Sequence, residues 1–217
     1  MAFEGERVRM VDEQLRARGL NDARLLEAFR KVPRHLFVPP EHQPDAYADH
    51  PLPIGSGQTI SQPYIVALMT DCLHLQGHER VLEIGAGSGY QTAILAELAL
   101  EVYAVERLPE LLQAVKTRLD ALGCLNAQMT AGNGTLGWPE HAPYDAILVS
   151  AAAPRVPEPL VEQMAEQGRM VLPVGTPEAQ MLVAVEKRRG RIRQTEIAGC
   201  LFVPLVGQHG WAESSNE

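Results

Sequence analysis

Val81-Leu82-Glu83-Ile84-Gly85-Ala86-Gly87-Ser88-Gly89-Tyr90 is the stretch on which the fold turns. Four residues of short apolar strand run into three alternating glycines and then into a helical pattern. A glycine loop between strand and helix marks the first ligand crevice of a doubly wound sheet. Glycines allow tight turning and close ligand approach. The helix beginning near Ser88 aims free N–H groups and a positive dipole end at a bound anion.

Outward from this loop, strands and helices alternate. Strands are expected at 80–84, 102–105, 127–130, 144–149 and 169–174. Helices are expected at 63–74, 88–98, 109–122 and 157–167. An antiparallel pair, 180–187 with 193–203, closes the chain around Arg189-Gly190. The pattern implies an α/β fold with a mainly parallel, doubly wound sheet covered on both faces. On the N-terminal side, 4–19 reads as a helix with Val8, Val11 and Leu15 inward and Gly19 as its stop. Asn21 or Asp22 caps a second helix that ends before Pro33. Seven prolines between 33 and 63 exclude regular helix or central strand there. A loop of that length is usually functional or disordered, and its mixed apolar and hydroxyl end, 52–63, is not of disordered composition. A single domain over 1–217 is expected, with an N-terminal extension (1–62), a cofactor-binding core (63–206) and a polar, frayed tail (207–217).

Composition narrows the function. The 217 residues carry a formal net charge of -8, which argues against broad binding to nucleic acid or an anionic membrane. The charge is uneven: residues 1–37 hold eight Lys/Arg against six Asp/Glu. Three scattered cysteines, Cys72, Cys124 and Cys200, form no CxxC, so neither a disulfide framework nor a zinc site is expected. The seven histidines show no metal-ligand spacing. With no apolar run long enough to span a membrane and no signal-like N-terminus, a cytoplasmic monomer is the expectation.

The glycine loop alone admits several ligands. A dinucleotide fingerprint would put glycine or alanine at position 90, where Tyr90 stands. Glu83 at the strand's end suits the amino group of S-adenosylmethionine, whose carboxylate can use the helix start. Glu106 closes the next strand, about 20 residues on, where an acid accepts from ribose hydroxyls. An NAD-dependent oxidoreductase, a different methyltransferase and a non-catalytic cofactor-binding protein are the alternatives. Methylation of exocyclic base amines goes with Asn/Asp-Pro-Pro-Phe/Tyr motifs after the fourth strand, and here that position reads Ser150-Ala-Ala-Ala-Pro154. No cysteine sits in a Pro-Cys nucleophile motif.

The segments Leu52-Pro-Ile-Gly-Ser-Gly-Gln-Thr-Ile-Ser61-Gln-Pro, Val81–Ala93, Val105-Glu-Arg107 and Phe202-Val-Pro-Leu205 resemble the protein-L-isoaspartate O-methyltransferases. The likeness runs from about residue 10 to 206. The glycine loop is common to classical methyltransferases; the Gln58-Thr-Ile-Ser61 segment is far more specific. The resemblance implies methyl transfer from S-adenosylmethionine, without a metal, to the α-carboxylate of L-isoaspartyl residues in damaged proteins or peptides. It implies that Glu83, Gly85, Gly87, Ser88 and Gly89 hold the methionine part of the cofactor and Glu106 the ribose. Thr59 and Ile60 would border the cofactor, and Ser61 would be the active-site hydroxyl. Gly57, Ser61 and Val203-Pro204-Leu205 would meet the substrate peptide. The family's usual Asp-Gly facing adenine reads Asn133-Gly134 here, and an Asn side-chain oxygen can still accept from the adenine amino group.

The substrate's α-carboxylate, with an ordinary pKa of about 3.3–3.7, is already ionised and nucleophilic at neutral pH. No strong base is needed, which agrees with the lack of a His/Asp set beside Ser61. Ser61 is expected to orient the carboxylate by hydrogen bonding and to form no covalent intermediate. From the residues alone, Ser61 could equally cap the helix that Pro63 begins. Phe202–Leu205 could be an ordinary buried strand end. The basic run 187–193 reads as a solvated hairpin turn.

Overall fold

The computed structural model describes residues 3–213. Its strands are β1 (Leu52–Gly55), β2 (Gln58–Ile60), β3 (Arg80–Ile84), β4 (Glu101–Glu106), β5 (Ala127–Ala131), β6 (Tyr144–Val149), β7 (Met164–Gly175), β8 (Gln180–Arg188) and β9 (Arg191–Cys200). The helices are α1 (Glu4–Arg9), α2 (Ala23–Lys31), α3 (Pro63–Cys72), α4 (Tyr90–Leu98), α5 (Pro109–Ala121) and α6 (Glu158–Glu162). The main sheet has the order β5-β4-β3-β6-β7-β8-β9. β5, β4, β3, β6 and β7 are parallel to one another, and β8 and β9 add antiparallel to β7. The order reverses between β3 and β6, where an open sheet leaves its ligand crevice.

The central strands are apolar on both faces because both are covered. Val81, Val102 and Leu148 pack into one core with α2, α3, α4 and α5. Leu82, Ile84, Val105 and Ile147 point the other way, toward Leu160 of α6 and Trp138. This alternation on a period of two is what a pleated strand imposes.

The N-terminal helix departs from expectation. After α1 the chain makes a π turn over Met10–Leu15 and a 3-10 turn over Arg16–Arg18, and it stops at Gly19 with φ 95°. The wider turn shifts the inward face. Met10, Val11 and Leu15 are buried, whereas Val8, expected inside, is 41% exposed. Asp22 caps α2 by accepting from Leu25 N–H at 2.8 Å.

The proline-rich segment is ordered. It makes two 3-10 turns, Arg34–Phe37 and Pro40–Asp45, and then the β1–β2 hairpin, which the proline count had concealed. Asp49 at its centre accepts from Tyr64 N–H at 3.1 Å and from Arg18 at 2.8 Å, and so ties the start of α3 to the N-terminal helix.

Two further expectations are corrected. The helix at 157–167 is only α6, and the chain is already strand at Met164. The Gln163 side chain ends the helix: its amide donates to Leu136 and Pro159 carbonyls and its oxygen accepts from Trp138 N–H. The last strand ends at Cys200, not 203. Past that point the Gln180 side chain takes over both backbone groups of Phe202, accepting from its N–H at 2.7 Å and donating to its carbonyl at 3.2 Å. β9 forms the outer edge of the sheet and is exposed along nearly all its length, with Arg191, Arg193 and Glu196 interleaved with Ile192 and Ile197.

The tail is docked over 207–211. Trp211 donates its indole N–H to the Ala152 carbonyl at 3.1 Å and its backbone N–H to Leu205. The part of the expected frayed tail beyond 213 lies outside the described residues.

Candidate active site

A cavity of about 500 Å³ opens at the carboxyl ends of β3, β4 and β6. The structure brings twelve of the expected site residues to its wall: Gly57, Thr59, Ile60, Ser61, Gly85, Gly87, Ser88, Glu106, Gly134, Val203, Pro204 and Leu205. Glu83, Gly89 and Asn133 stand behind it.

The loop after β3 turns through left-handed backbone at Gly85 and Gly87, with φ 86° and 53°. α4 starts at Tyr90, two residues later than expected, with Gly89 at the cap and Ser88 Oγ accepting from Tyr90 N–H at 3.2 Å. Gly89 serves packing. It has φ 85°, and a Cβ there would stand 2.4 Å from Val115 Cγ1 of α5.

Glu83 is completely buried, and neither carboxylate oxygen has a hydrogen-bond partner. Burial raises its pKa to about 8; the nearby Thr92 hydroxyl moderates the rise without meeting hydrogen-bond geometry. A buried carboxylate without a donor is costly unless a cation or donor reaches it. Glu106 is differently placed. Its Oε2 accepts from Gly87 N–H at 2.8 Å and its Oε1 from Leu108 N–H at 2.9 Å, while it still faces the cavity. Each oxygen keeps a lone pair for a ligand hydroxyl. These residues fit a ligand with a cationic end near the β3 loop and hydroxyls near the end of β4.

Ser61 follows β2. The residue that caps α3 is Gln62, so the capping alternative for Ser61 falls away. Its hydroxyl makes no hydrogen bond within the described residues, while its carbonyl accepts from Arg34 Nη2 at 2.7 Å. The charged residues on the cavity wall are Glu106 and Arg107. A general base is therefore absent from the Ser61 side among the described residues. Segment 202–205 crosses the mouth, held by Ala152, whose N–H donates to the Val203 carbonyl and whose carbonyl accepts from Leu205 N–H. Leu205 is buried and Pro204 exposed.

Asn133 Oδ1 accepts from Thr135 N–H at 3.1 Å and from Thr135 Oγ1 at 2.7 Å, so it caps the short turn at Gly134–Leu136. Gly134 faces the cavity instead, packed so closely that a Cβ would lie 2.5 Å from Ile84 Cγ2.

Sequence reasoning missed Gln91, Leu108 and Ser150 on the wall and Arg34 behind it. Leu108 had a usable signal, as it follows the strand-end acid by two residues. Arg34 had none, because its role depends on two carbonyls distant in sequence. Burial raises the Cys72 and Cys200 thiols to about 11, which leaves them protonated at neutral pH. Among the described residues no group of three His, Cys, Asp or Glu could hold a metal ion, and no helix is long and apolar enough to cross a membrane.

Comparisons with known proteins converge on one family. The model of the protein-L-isoaspartate(D-aspartate) O-methyltransferase family matches residues 6–210. A protein-L-isoaspartate O-methyltransferase of Methanoculleus marisnigri is 54% identical over 206 residues, covering 95% of this chain and 94% of that one. One of Syntrophobacter fumaroxidans is 56% identical, covering 96% and 98%. A solved protein-L-isoaspartate O-methyltransferase shares the fold with a TM-score of 0.84 at 28% identity, over 94% of this chain and 67% of that one. A Plasmodium falciparum beta-aspartate methyltransferase in complex with S-adenosyl-L-homocysteine gives a TM-score of 0.80 at 24% identity, over 92% and 98%. With a family model matched over residues 6–210 and relatives more than half identical across nearly the whole chain, the chain belongs to the protein-L-isoaspartate(D-aspartate) O-methyltransferase family.

Proposed function

We propose that this chain uses S-adenosylmethionine to methylate the α-carboxylate of L-isoaspartyl residues in damaged proteins and peptides, with Ser61 holding that carboxylate. The observation that carries the reading is Ser61, whose hydroxyl makes no hydrogen bond among the described residues, on the wall of the cavity that the β3 glycine loop and Glu106 also line.

When bound, S-adenosylmethionine supplies a methyl group on a cationic sulfonium. Glu83, from behind the wall, offers negative charge to the cationic amino group. Gly85, Gly87 and Ser88 give close backbone approach, and Glu106 takes the ribose hydroxyls. Thr59 and Ile60 border the cofactor, and Gly134 rather than the Asn133 amide faces the adenine side. Ser61 donates its hydroxyl proton to one oxygen of the substrate carboxylate and so aims the other. Gly57 adds a backbone contact. Val203, Pro204 and Leu205 flank the peptide and help to exclude water. Nucleophile and donor would carry opposite charges that cancel as the oxygen–methyl bond forms and the sulfur–methyl bond breaks, with neutral S-adenosylhomocysteine leaving, so a dry site with fixed dipoles favours the transfer. Alignment contributes much of the rest. The substrates are peptides and not nucleic acid, in keeping with the -8 charge, and a monomer working in the cytoplasm suffices for the reaction.

The test uses matched peptides, one with isoaspartate and one with normal aspartate, and labelled S-adenosylmethionine. Base-labile label on the isoaspartyl peptide alone is the expected result. Equal labelling of both would overturn the specificity.

A further inference from the structure

An acidic protein that binds a carboxylate needs a local source of positive potential. Among the described residues the one cation on the cavity wall, Arg107, is paired with Glu213 at 2.9 Å. Two more cations stand behind the wall: Arg118 donates to the Ser88 carbonyl at 2.6 Å on the glycine-loop side, and Arg34 lies on the Ser61 side. Arg34 is fully buried. Its Nε donates to the Ala46 carbonyl and its Nη2 to the Ser61 carbonyl, both at 2.7 Å, and Nη1 has no partner. Its Cζ lies 5.0 Å from the ring centroid of Tyr90, which lines the cavity. No carboxylate among the described residues forms a salt bridge with it. Asp49, the acid that acts on it from a distance, is committed to Arg18 and to the N-terminus of α3. Burial lowers its pKa only to about 10, so it stays charged at neutral pH.

A buried cation without an anion is expensive, and neutral side chains could donate to two carbonyls at lower cost. The charge has a use if an anion arrives at the residue it holds. Resting on the reading that Ser61 binds the substrate carboxylate, we infer that Arg34 is a positioning residue for that carboxylate: it fixes the Ser61 backbone and supplies the positive potential that draws the anion to the Ser61 hydroxyl. It is shielded from solvent and acts through Ser61, without touching the substrate. Within several ångströms inside a protein, one unit charge changes anion affinity by about tenfold or more.

Arg34→Gln keeps donors and removes the charge, whereas Arg34→Lys keeps the charge and loses the planar fork. Kinetics with an isoaspartyl peptide, cofactor affinity by calorimetry and thermal melting are measured on the full chain and both variants. The expected result for Arg34→Gln is a peptide KM raised about tenfold or more, with kcat and cofactor Kd within about threefold. Arg34→Lys is expected to recover most of the KM. An unchanged KM in folded Arg34→Gln, or equal damage in folded Lys and Gln variants, overturns the inference and leaves the activity standing. If neither variant folds, the wild type decides: equal binding of the isoaspartyl peptide and its α-carboxamide analogue overturns it, and about tenfold preference for the carboxylate supports it. A wild type that leaves the isoaspartyl peptide unmethylated overturns the functional reading, and this one with it.

Discussion

Glu106 Oε2 accepts the backbone N–H of Gly87 at 2.8 Å. The acid that ends β4 thereby holds the loop that follows β3, and two walls of the cavity are joined. Glu106→Ala removes this bond and the one to Leu108 N–H. Hydrogen bonds to a charged group are worth about 1.5–3 kcal/mol. A lowered melting temperature and cofactor affinity reduced by about tenfold or more are expected, read by calorimetry on one preparation. Unchanged affinity would remove Glu106 from the ribose site.

Glu83 gives the cofactor-free protein a pH dependence of definite sign. Its folded pKa is raised to about 8 from an ordinary 4.5. Above pH 4.5 the unfolded chain gives up this proton, while the fold still holds it. The group therefore lowers stability progressively up to about pH 8, on the order of a few kcal/mol. Glu83→Gln should flatten that decline, melting above wild type at pH 8 and close to it at pH 4.5. The same variant should bind S-adenosylmethionine more weakly. A parallel pH profile in both proteins would show that the buried carboxylate does not titrate in this way.

Ser61→Ala separates catalysis from structure with little ambiguity. The hydroxyl neither caps α3 nor bonds another residue. Its loss should leave the melting temperature within about 1 °C and lower kcat/KM for an isoaspartyl peptide by about 10- to 100-fold, the range for one positioned hydrogen bond to a charged group. Full retention of kcat/KM would remove the role assigned to this side chain.

Gly89→Ala is expected to destabilise the protein by about 2–4 kcal/mol, from left-handed backbone strain and a clash with Val115. The loss should appear in chemical denaturation. Val115→Ala, which opens the space, should restore part of it in the double variant.

Strands Arg80–Ile84 and Tyr144–Val149 were legible to the residue, because both faces are buried and the apolar run ends where burial ends. The failures share a cause. Val8, the short α6 and the early end of β9 were each misread where a π turn, the Gln163 side chain or the Gln180 side chain overrides local pattern. The β1–β2 hairpin hid among prolines. In the site, Glu83 and Glu106 were legible from their places at strand ends. Ser61 was legible only through resemblance, since by itself a serine before Gln-Pro reads as a cap. Arg34 was out of reach, because what distinguishes it is the distance to Ala46 and Ser61.

β9 leaves one side of the sheet unpaired, and its exposed isoleucines alternate with Arg191, Arg193 and Glu196. The β8–β9 register also slips between Leu182 and Val183. Charges and irregularity on an open edge discourage another strand from adding to it. The open rim of the sheet thus carries its own guard against strand addition, and the cavity at the carboxyl ends of the central strands stays the place where a peptide is received.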